Sequence, residues 1–600
     1  MRLAQALFAP RAVALVGASG DSAKNTARPQ RYLRKHGYAG RIVPVNATRD
    51  EVLGERAYRR LADAPGEIDH AFIMVEDVEA ALEDCARKGV AVASIYSNGF
   101  ADAGAAGAAR QARLLERSRA LGVRLLGPNS MGVIDLPGRL ALSVNAVLEA
   151  DALRAGSTSL ISQSGTMLGT LLSRGAARGL GFAKLVSVGN EADLGVGELV
   201  ELLVADADTK VIALFLETVR DAARLAAAAR MAHAAGKAIV AYKLGRSALG
   251  VELARSHTGA LAGADVALDA FFRDCGIVRV DMLESLIEIP PLVSNREPPR
   301  LARRARVAVV TTTGGGAAAV VDRLGLHGME LAGMHDLTMA GNAQDYRATL
   351  EKLLASADCD AVLAAVGSSA QFHPEFAVEP IVTARRTEKP LVTFLTPHAE
   401  RSLALLAERG VPAFRTPEAC ADSLAAFFAW RAPRLIGDSH QFPKPEIGDS
   451  HQLLASLGIP VAEQAIVQAP EYAHRVPYPV ALKRLGVEHK TEQGGVALNV
   501  RDAAELAQQA RRMGDERLLV QRMEHGLAEA IVGYRDHPVV GPLVLVGAGG
   551  TLAEIYQDFA VELAPVSEAE ALAMIARVKG LAVVRGYRNL PRGDIEALAR

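Results

Sequence analysis

Residues 160–166 read Leu160-Ile161-Ser162-Gln163-Ser164-Gly165-Thr166, an apolar run that passes directly into small polar residues. A run of this length that ends in Ser and Gly predicts a buried strand followed by the start of a helix. A similar unit returns at residues 307–317, where Val-Ala-Val-Val-Thr precedes Thr-Thr-Gly-Gly-Gly-Ala. The offset of roughly 150 residues between the two units indicates a duplicated flavodoxin-like domain.

The rest of the chain alternates in the same way. Short Val/Ile/Leu/Ala runs alternate with alanine-rich helical stretches such as 221–235, which predicts parallel sheets covered by helices on both faces, the doubly wound α/β class. Proline-rich segments at 294–306 and 432–450 indicate linkers, and a weaker joint falls near 137–155. The predicted domains are therefore 1–145, 146–295, 300–435 and 442–600.

Composition excludes several classes of protein. The chain has 600 residues, of which 50% are hydrophobic and 22% charged, a globular balance with a formal net charge of −1. This charge offers no global attraction to nucleic acid or to an anionic membrane. Four scattered cysteines fit a reducing cytosol, and no apolar run approaches the roughly 20 residues that span a bilayer. We expect a cytoplasmic protein with no signal peptide, no structural zinc site, and neither nucleic acid nor membrane as partner.

The first block contains a strand, a small-residue turn, a helix and a second strand. Its turn, Val16-Gly17-Ala18-Ser19-Gly20, is Rossmann-like, because small residues let backbone N–H groups and a helix N-terminus approach a phosphate. A purely structural tight turn is the alternative. Two more turns, 97–100 and 127–132, also follow apolar strands and carry Gly, Asn and Ser. Ligands of such sheets bind at this edge.

The second block supplies candidates for phosphoryl chemistry. His257 lies in the glycine-flanked stretch 254–263, and a histidine ring nitrogen can carry a phosphoryl group between two half-reactions. The backbone N–H groups and hydroxyls of residues 164–166 could hold that group, and Glu217, at a strand end, could orient the imidazole. The alternatives are a loop histidine without chemistry and a solvated carboxylate.

The fourth block departs from strict strand–helix alternation. Lys483 lies on a predicted strand, and the polar segment 489–496 ends in the glycine pair Gly494-Gly495. A lysine beside a flexible glycine loop suits the phosphates of ATP. Taken alone, Lys483 is better explained as a lysine whose stem lies along an edge strand than as a ligand of ATP.

Together these motifs resemble one family, the ADP-forming (NDP-forming) acyl-CoA synthetases of the acetate–CoA ligase type, relatives of succinyl-CoA synthetase. The resemblance covers nearly all of the chain, and its most specific elements, in matching order, are 127–132, 162–165, 256–263 and 489–496. It implies a Rossmann-like CoA-binding domain, two flavodoxin-like ligase domains and an ATP-grasp domain that lacks its usual C-terminal end.

The resemblance also implies a reaction and a set of roles. A small carboxylic acid, CoA and ATP would give acyl-CoA, ADP and phosphate through acyl phosphate and phosphohistidine, with Mg²⁺ screening the triphosphate. His257 would carry the phosphoryl group, Glu217 would orient it, and His489 would relay phosphate from the nucleotide site. The implied cofactor-binding residues are Gly17, Ser19, Asn98, Gly99 and Asn129 for CoA, Ser164 and Gly165 for the phosphoryl group, and Lys483, Gly494, Gly495, Gln521 and Glu529 for ATP.

Other properties stay open at this stage. A regulatory protein of the same architecture could sense acyl-CoA and nucleotide without turnover, whereas an acyltransferase-type relative would need an acetyltransferase-like segment that the sequence does not display. Relatives pair subunits through these domains, which suggests a homodimer. The sequence identifies neither the magnesium ligands nor the particular carboxylic acid.

Overall fold

The computed structural model describes residues 2–600 except 152, 248, 250–264, 338–341, 435–453, 455–456, 486–493, 515–516 and 551. These residues fall into two compact units. Unit 1 comprises Met1–Arg434, Arg535–Leu543 and Val561–Ala564, and unit 2 comprises Leu435–Tyr534, Val544–Ala560 and Pro565–Arg600. Within the described residues, no helix combines the length and the apolar character needed to cross a membrane.

The strands are β1 Ala12–Val16, β2 Arg41–Val45, β3 Glu51–Val52, β4 Glu55–Arg56, β5 His70–Ile73, β6 Val92–Ile95, β7 Arg124–Leu126, β8 Gly132–Asp135, β9 Leu140–Ser143, β10 Ala155–Ser162, β11 Phe182–Ser187, β12 Val211–Leu216, β13 Ala238–Lys243, β14 Val278–Val280, β15 Arg306–Thr311, β16 Glu330–Asp336, β17 Ala361–Val366, β18 Leu391–Leu395, β19 Ala413–Phe414, β20 Gln464–Gln468, β21 Val480–Arg484, β22 Val496–Val500, β23 Arg517–Arg522, β24 Ala530–His537, β25 Gly541–Ala548 and β26 Phe559–Leu563.

The described α-helices are Arg2–Phe8, Arg28–Lys35, Val78–Arg87, Gly104–Leu121, Gly165–Ala176, Val196–Val204, Ala222–Ala234, Asp265–Asp274, Leu283–Glu288, Pro290–Val293, Gly314–Leu326, Ala343–Ala355, Ser369–Phe372, Pro374–Thr383, Glu400–Glu408, Pro417–Ala429, Ala503–Met513, Ala553–Tyr556, Glu568–Arg577 and Ile595–Ala599.

Three sheets are wholly or mainly parallel, which confirms the doubly wound α/β class for this part of the chain. The first has the order β2-β1-β5-β6-β7, the second β14-β13-β12-β10-β11-β8-β9, and the third β16-β15-β17-β18-β19. Most of their strands are apolar and buried on both faces, as expected where helices cover a parallel sheet, whereas the edge strand β16 is exposed. In the first two sheets β1 and β10 are switch points, because successive connections leave them toward opposite neighbours.

The second sheet begins earlier in the chain than the sequence indicates. Strands β8 and β9 fall before the predicted boundary at residue 145, yet β8 pairs antiparallel with β11 and β9 pairs antiparallel with β8. Because β8 pairs with β11 and β9 pairs with β8, both β8 and β9 belong to the second sheet. The division into 1–145, 146–295, 300–435 and 442–600 otherwise stays a prediction.

The second and third sheets share one apolar core. A single buried cluster includes Leu160 and Phe215 from the second sheet together with Val309 and Leu363 from the third. The helix Pro417–Ala429, which follows the third sheet, contributes Leu424, Phe427 and others to the same cluster. The two flavodoxin-like domains are therefore held against each other by apolar burial.

Unit 2 contains a four-stranded antiparallel sheet with the order β20-β23-β21-β22. Its small core is formed by Val480, Leu482, Leu518 and Val520, against which Leu506 of the helix Ala503–Met513 packs. Another sheet, of three strands with the order β24-β25-β26, belongs wholly to neither unit. The departure from strand–helix alternation that the sequence indicates after residue 442 is thus an antiparallel arrangement.

Glu288 is a buried carboxylate in a cluster of two arginines and two glutamates. Arg178 donates from Nε to Glu288 Oε1 at 2.6 Å and also pairs with Glu284, which in turn pairs with Arg174. Glu288 is 1% exposed, and its Oε2 has no hydrogen-bond partner among the described residues. Burial raises the pKa of Glu288 from its ordinary 4.5 to about 7, against the opposing effect of Arg178.

This pKa predicts how stability depends on pH. Between pH 4.5 and about pH 7 the folded chain keeps the Glu288 proton that the unfolded chain releases, so this group's contribution to stability falls as pH rises through that window. A shift of this size corresponds to at most about 3 kcal/mol. We expect the melting temperature of Glu288→Gln, measured by calorimetry, to equal that of the wild type near pH 4.5 and to exceed it at pH 7.5.

The control is Glu297→Gln, because Glu297 is exposed. Its melting temperature should differ from that of the wild type by the same amount at both pH values. A Glu288→Gln variant that melts at the wild-type temperature at both pH values would contradict the expectation.

Candidate functional site

A cavity of about 970 Å³ lies where the carboxyl ends of strands from the first and second sheets meet. Its walls come from the segments that follow β5, β6, β7, β10, β11 and β12, all in unit 1. Five of the residues predicted from sequence line it, namely Asn98, Asn129, Ser164, Gly165 and Glu217. Two of the three first-block turns, 97–100 and 127–132, thus contribute to this cavity, and they meet there the strand ends of the second sheet.

Gln163 holds three of these strand ends in place. Its Oε1 accepts hydrogen bonds from the backbone N–H groups of Glu217 at 2.5 Å and Thr218 at 2.9 Å. Its Nε2 donates to the Thr218 carbonyl at 2.9 Å and to the Glu191 carboxylate. The side chain is 9% exposed, so this amide replaces water for polar groups at the ends of β10, β11 and β12.

Glu191 is, besides Glu217, the other carboxylate that the second sheet contributes to the cavity. It adopts a left-handed backbone conformation, with φ of +54°, which is uncommon outside glycine. Its Oε2 accepts from the N–H of Val196, the first residue of the helix Val196–Val204. Burial raises the pKa of Glu191, although the Gln163 hydrogen bond, Arg220 and the Val196 N–H all act in the opposite direction.

The helix Gly165–Ala176 presents its N-terminus to the cavity. Ser164 is its N-cap, with its Oγ accepting from the Met167 N–H at 3.4 Å and lying 3.2 Å from the Thr166 Oγ1. A side chain at Gly165 would collide with Met131, since an added Cβ would lie 2.5 Å from the Met131 Cγ. Two hydroxyls and the first N–H groups of a twelve-residue helix therefore lie at the cavity wall, an arrangement that suits an anion.

The first-sheet wall is organised around Asp102. Its carboxylate accepts from the N–H groups of Gly99 at 3.0 Å and Phe100 at 3.1 Å, and from the Asn190 side chain at 2.8 Å. These hydrogen bonds outweigh the effect of burial and hold the pKa of Asp102 below its usual range. The guanidinium of Arg110 lies 4.3 Å from the centre of the Phe100 ring, within the cavity wall.

Gly17 and Ser19 lie at the end of β1 but are not among the residues that line the cavity. Gly17 has φ of +89°, and an added Cβ would lie 2.7 Å from the Val75 Cγ1 and 3.3 Å from the Met74 carbonyl. Ser19 accepts from the Asp21 N–H at 3.0 Å. Gly17 therefore lets the chain approach the end of β5 at the switch point of the first sheet.

The predicted nucleotide-site residues lie in unit 2. Lys483 on β21 donates from Nζ to the Gln521 Oε1 on β23 at 2.6 Å, so the structure brings these two side chains together. Gly494 has φ of +65°, and Gly495 accepts from the Arg484 N–H at 2.9 Å. The Glu529 carbonyl accepts from the Gly549 N–H at 2.7 Å.

His257 and His489 lie outside the described residues. No cluster of three or more carboxylate, histidine or cysteine ligands occurs in the part of the chain that the structure describes.

The sequence assigned no role to several residues that line the cavity, among them Tyr96, Arg110, Gln163, Asn190, Glu191, Thr218 and Arg220. The segment 186–191 was a usable signal, because it places Asn and Glu directly after a buried strand. No sequence pattern singles out Arg110, which lies within the helix Gly104–Leu121.

Comparison with known proteins agrees with this architecture. Family models match residues 11–135 as a CoA binding domain, 155–293 as a succinyl-CoA ligase like flavodoxin domain, and 446–600 as an ATP-grasp domain. Fold and site thus define an acid–thiol ligase with a nucleotide-binding domain.

Curated relatives match over nearly the whole chain. Acetate–CoA ligase [ADP-forming] I of Archaeoglobus fulgidus is 28% identical, over 99% of this chain and 93% of the relative. A trans-feruloyl-CoA synthase from an unknown prokaryotic organism is 30% identical, over 99% of this chain and 92% of the relative. The acetyl-coenzyme A synthetase 1 of Ca. Korarchaeum cryptofilum, solved with phosphate and ADP, has a TM-score of 0.63 and 26% identity, covering 72% of this chain and 97% of that one. The chain belongs to the family of ADP-forming acyl-CoA synthetases.

The position of Gln163 yields a prediction about turnover. We expect Gln163→Leu to lower kcat for CoA-thioester formation about 10- to 100-fold, because Glu217 and Thr218 lose their common acceptor and small displacements of a reacting group are costly. KM for CoA should change little, since the cavity wall around Asp102 is intact. Steady-state kinetics measures kcat and KM for CoA separately.

Gln371→Leu is the matched control, because Gln371 is exposed and belongs to the third-sheet domain. Its kcat should equal that of the wild type. A Gln163→Leu enzyme with unchanged kcat would show that the amide does not position Glu217.

Proposed function

We propose that this chain joins a small carboxylic acid to CoA, with ATP converted to ADP and phosphate, and that the cavity at the ends of β7, β10 and β12 is where the thioester forms. The observation that carries the proposal is the meeting of Glu217, the Ser164–Thr166 helix start and Asn129 in one cavity. Relatives named for acetate, 4-hydroxybutyrate and trans-ferulate support small carboxylic acids as the substrate class.

The first half-reaction phosphorylates His257. A ring nitrogen of His489 attacks the γ-phosphorus of ATP, the bond to the β-phosphate oxygen breaks, and ADP leaves; a ring nitrogen of His257 then attacks the same phosphorus and the P–N bond to His489 breaks. Each imidazole loses a ring proton to solvent when it is phosphorylated and takes one back when its P–N bond breaks. Lys483 and Gln521, already joined by a hydrogen bond, are proposed to bind the nucleotide, with Gly494, Gly495 and Glu529 beside them and His489 relaying the phosphoryl group. Mg²⁺ accompanies the triphosphate and screens its charge.

The second half-reaction uses the cavity. A carboxylate oxygen of the substrate attacks the phosphorus of phospho-His257, the P–N bond breaks, and the imidazole takes up a proton from solvent, which leaves acyl phosphate. CoA then loses its thiol proton to solvent, the thiolate attacks the acyl carbon, and the bond to the phosphate oxygen breaks as phosphate leaves. We assign Glu217 to orient the imidazole, and Ser164, Gly165 and Thr166 to hold the phosphoryl oxygens at a helix N-terminus. Helix N–H groups would stabilise the charge on the transferring group without reorganisation.

CoA would bind along the turns of the first sheet. Asn98 and Asn129 line the cavity, and Gly17, Ser19 and Gly99 belong to turns at the ends of β1 and β6. A cavity of about 970 Å³ lies at the upper end of the usual range for small-ligand sites, which suits the reactive arm of a large cofactor.

We further propose a cytoplasmic homodimer. All four cysteines are free and buried, which suits a reducing compartment. Size-exclusion chromatography with light scattering tests the oligomeric state.

Gly17 tests the CoA assignment. We expect Gly17→Ala to weaken CoA binding at least tenfold by calorimetric titration, because the added Cβ would push against Val75 at the end of β5. Gly54→Ala is the matched control: Gly54, in the turn between β3 and β4, has a similar φ of +81°, but nothing lies within 4 Å of an added Cβ. Equal affinity in both variants would remove Gly17 from the CoA site.

The phosphohistidine tests the reaction itself. Incubation with Mg²⁺ and γ-labelled ATP should place acid-labile, base-stable label on the wild-type chain and none on His257→Ala. Lys483→Met should slow labelling, since the nucleotide loses a cation. Wild-type protein that binds CoA and ATP but takes up no label would favour the regulatory alternative, a protein that senses these ligands without turnover.

A further inference from the structure

A second cavity, of about 480 Å³, lies at the opposite end of the second sheet from the thioester site. Its floor is formed where β10 and β11 begin, at residues 155–158 and 179–182, whereas Ser164 and Glu217 follow the strands' carboxyl ends. The other wall comes from the third-sheet domain, at residues 386–391 and 407–412. The proposed reaction does not use this cavity.

The charged residues that line it are mostly cations: Arg154, Arg296, Arg386 and Lys389, with Glu408 as the only lining carboxylate among the described residues. Glu408 is already paired, since Arg154 Nη2 lies 3.0 Å from its Oε1. The other three cations therefore face a cavity that offers them no carboxylate of its own.

Those three cations bond to neutral acceptors. Arg296 donates to the Glu388 carbonyl, and Arg386 donates to the Arg409 carbonyl. Lys389 donates to the Leu353 carbonyl at 2.9 Å, to the Ser356 carbonyl and to the Cys359 Sγ at 3.5 Å. Within the described parts of the chain, none of the three makes an ion pair with a carboxylate.

The electrostatics of Arg296 show that the cluster is under-compensated. Burial and the neighbouring Arg386 together hold the pKa of Arg296 below its usual range, and only the Glu388 carboxylate acts against them. Positive charges that lie close together in a half-buried cavity repel one another, and a bound anion would offset this repulsion.

We propose that this cavity binds a compact small-molecule polyanion, one that carries several phosphate or carboxylate groups. Its volume falls within the usual range for small-ligand sites. The guanidinium groups of Arg296 and Arg386 match such a ligand, because arginine binds phosphate and carboxylate oxygens in pairs. Lys389 adds a positive charge nearby but no further hydrogen bond, since its three N–H groups already donate within the chain. The ligand would bridge the second and third sheets, since Arg386 and Lys389 precede β18 while the floor belongs to β10 and β11.

Two probes test this assignment on the full-length chain. Tripolyphosphate and citrate are titrated separately by calorimetry at low salt, into wild type and into the double variant Arg296→Gln/Arg386→Gln. We expect saturable binding to the wild type and at least a tenfold loss of affinity in the double variant, equivalent to about 1.4 kcal/mol. The tighter of the two probes identifies the ligand as a phosphate or a carboxylate compound.

Arg300→Gln/Arg304→Gln is the matched control. It removes the same charge from two exposed arginines that do not line the cavity, so its affinity should equal that of the wild type. If the test variant does not fold, Arg386→Gln alone replaces it, because Arg386 is exposed. If the test and control variants lose the same affinity for a probe, the loss is due to the change in net charge of the protein, and the proposal is overturned.

Binding at the thioester site is excluded in the same series. Arg220 lines the 970 Å³ cavity of the thioester site but not the 480 Å³ cavity, so Arg220→Gln should keep the wild-type affinity for both probes. The proposal is overturned if neither probe binds the wild type, or if Arg220→Gln abolishes binding while Arg386→Gln leaves it intact. Neither result would bear on phosphorylation of His257, which is measured separately.

Discussion

The architecture of the site depends on one buried amide. Gln163 follows β10, the switch-point strand, and its four hydrogen bonds join that strand end to the segments after β11 and β12. An amide suits this position because it both accepts and donates, whereas the strand ends offer backbone N–H groups, a carbonyl and a carboxylate. The backbone of Glu217 is thereby placed by a hydrogen-bond network, as the role proposed for its side chain requires.

The cavity also depends on how the first domain continues into the second sheet. After β7 the chain turns at Asn129, and Ser130 donates to the Ser187 carbonyl at 2.5 Å while the Met131 N–H donates to the Ser187 Oγ at 3.0 Å. Strand β8 then pairs with β11. Because β8, which follows Asn129, is hydrogen-bonded to β11 of the second sheet, the cavity wall that carries Asn98 and Asn129 is held against the wall that carries Ser164 and Glu217.

The second sheet presents different chemistry at its two ends. Its carboxyl end carries helix N-termini, hydroxyls and two carboxylates, one of which, Glu191, has its pKa raised by burial. Its amino end lies beside an arginine and lysine cluster contributed largely by the third domain. The two ends are joined by β10 and β11, whose buried apolar residues belong to the shared core, so both cavities rest on one rigid layer.

Sequence by itself determined the α/β class, the family, and the turns that supply Asn129, Ser164 and Glu217, because apolar runs that end in Gly, Ser or Asn are local patterns. It did not place β8 and β9 in the second sheet, since backbone pairing between distant strands leaves no local signature. Nor did it reveal the bonds of Gln163, the buried pair of Arg178 and Glu288, or the gathering of Arg296 with Arg386. Those residues are far apart in sequence, and only tertiary packing decides which polar groups lose water together and must satisfy one another.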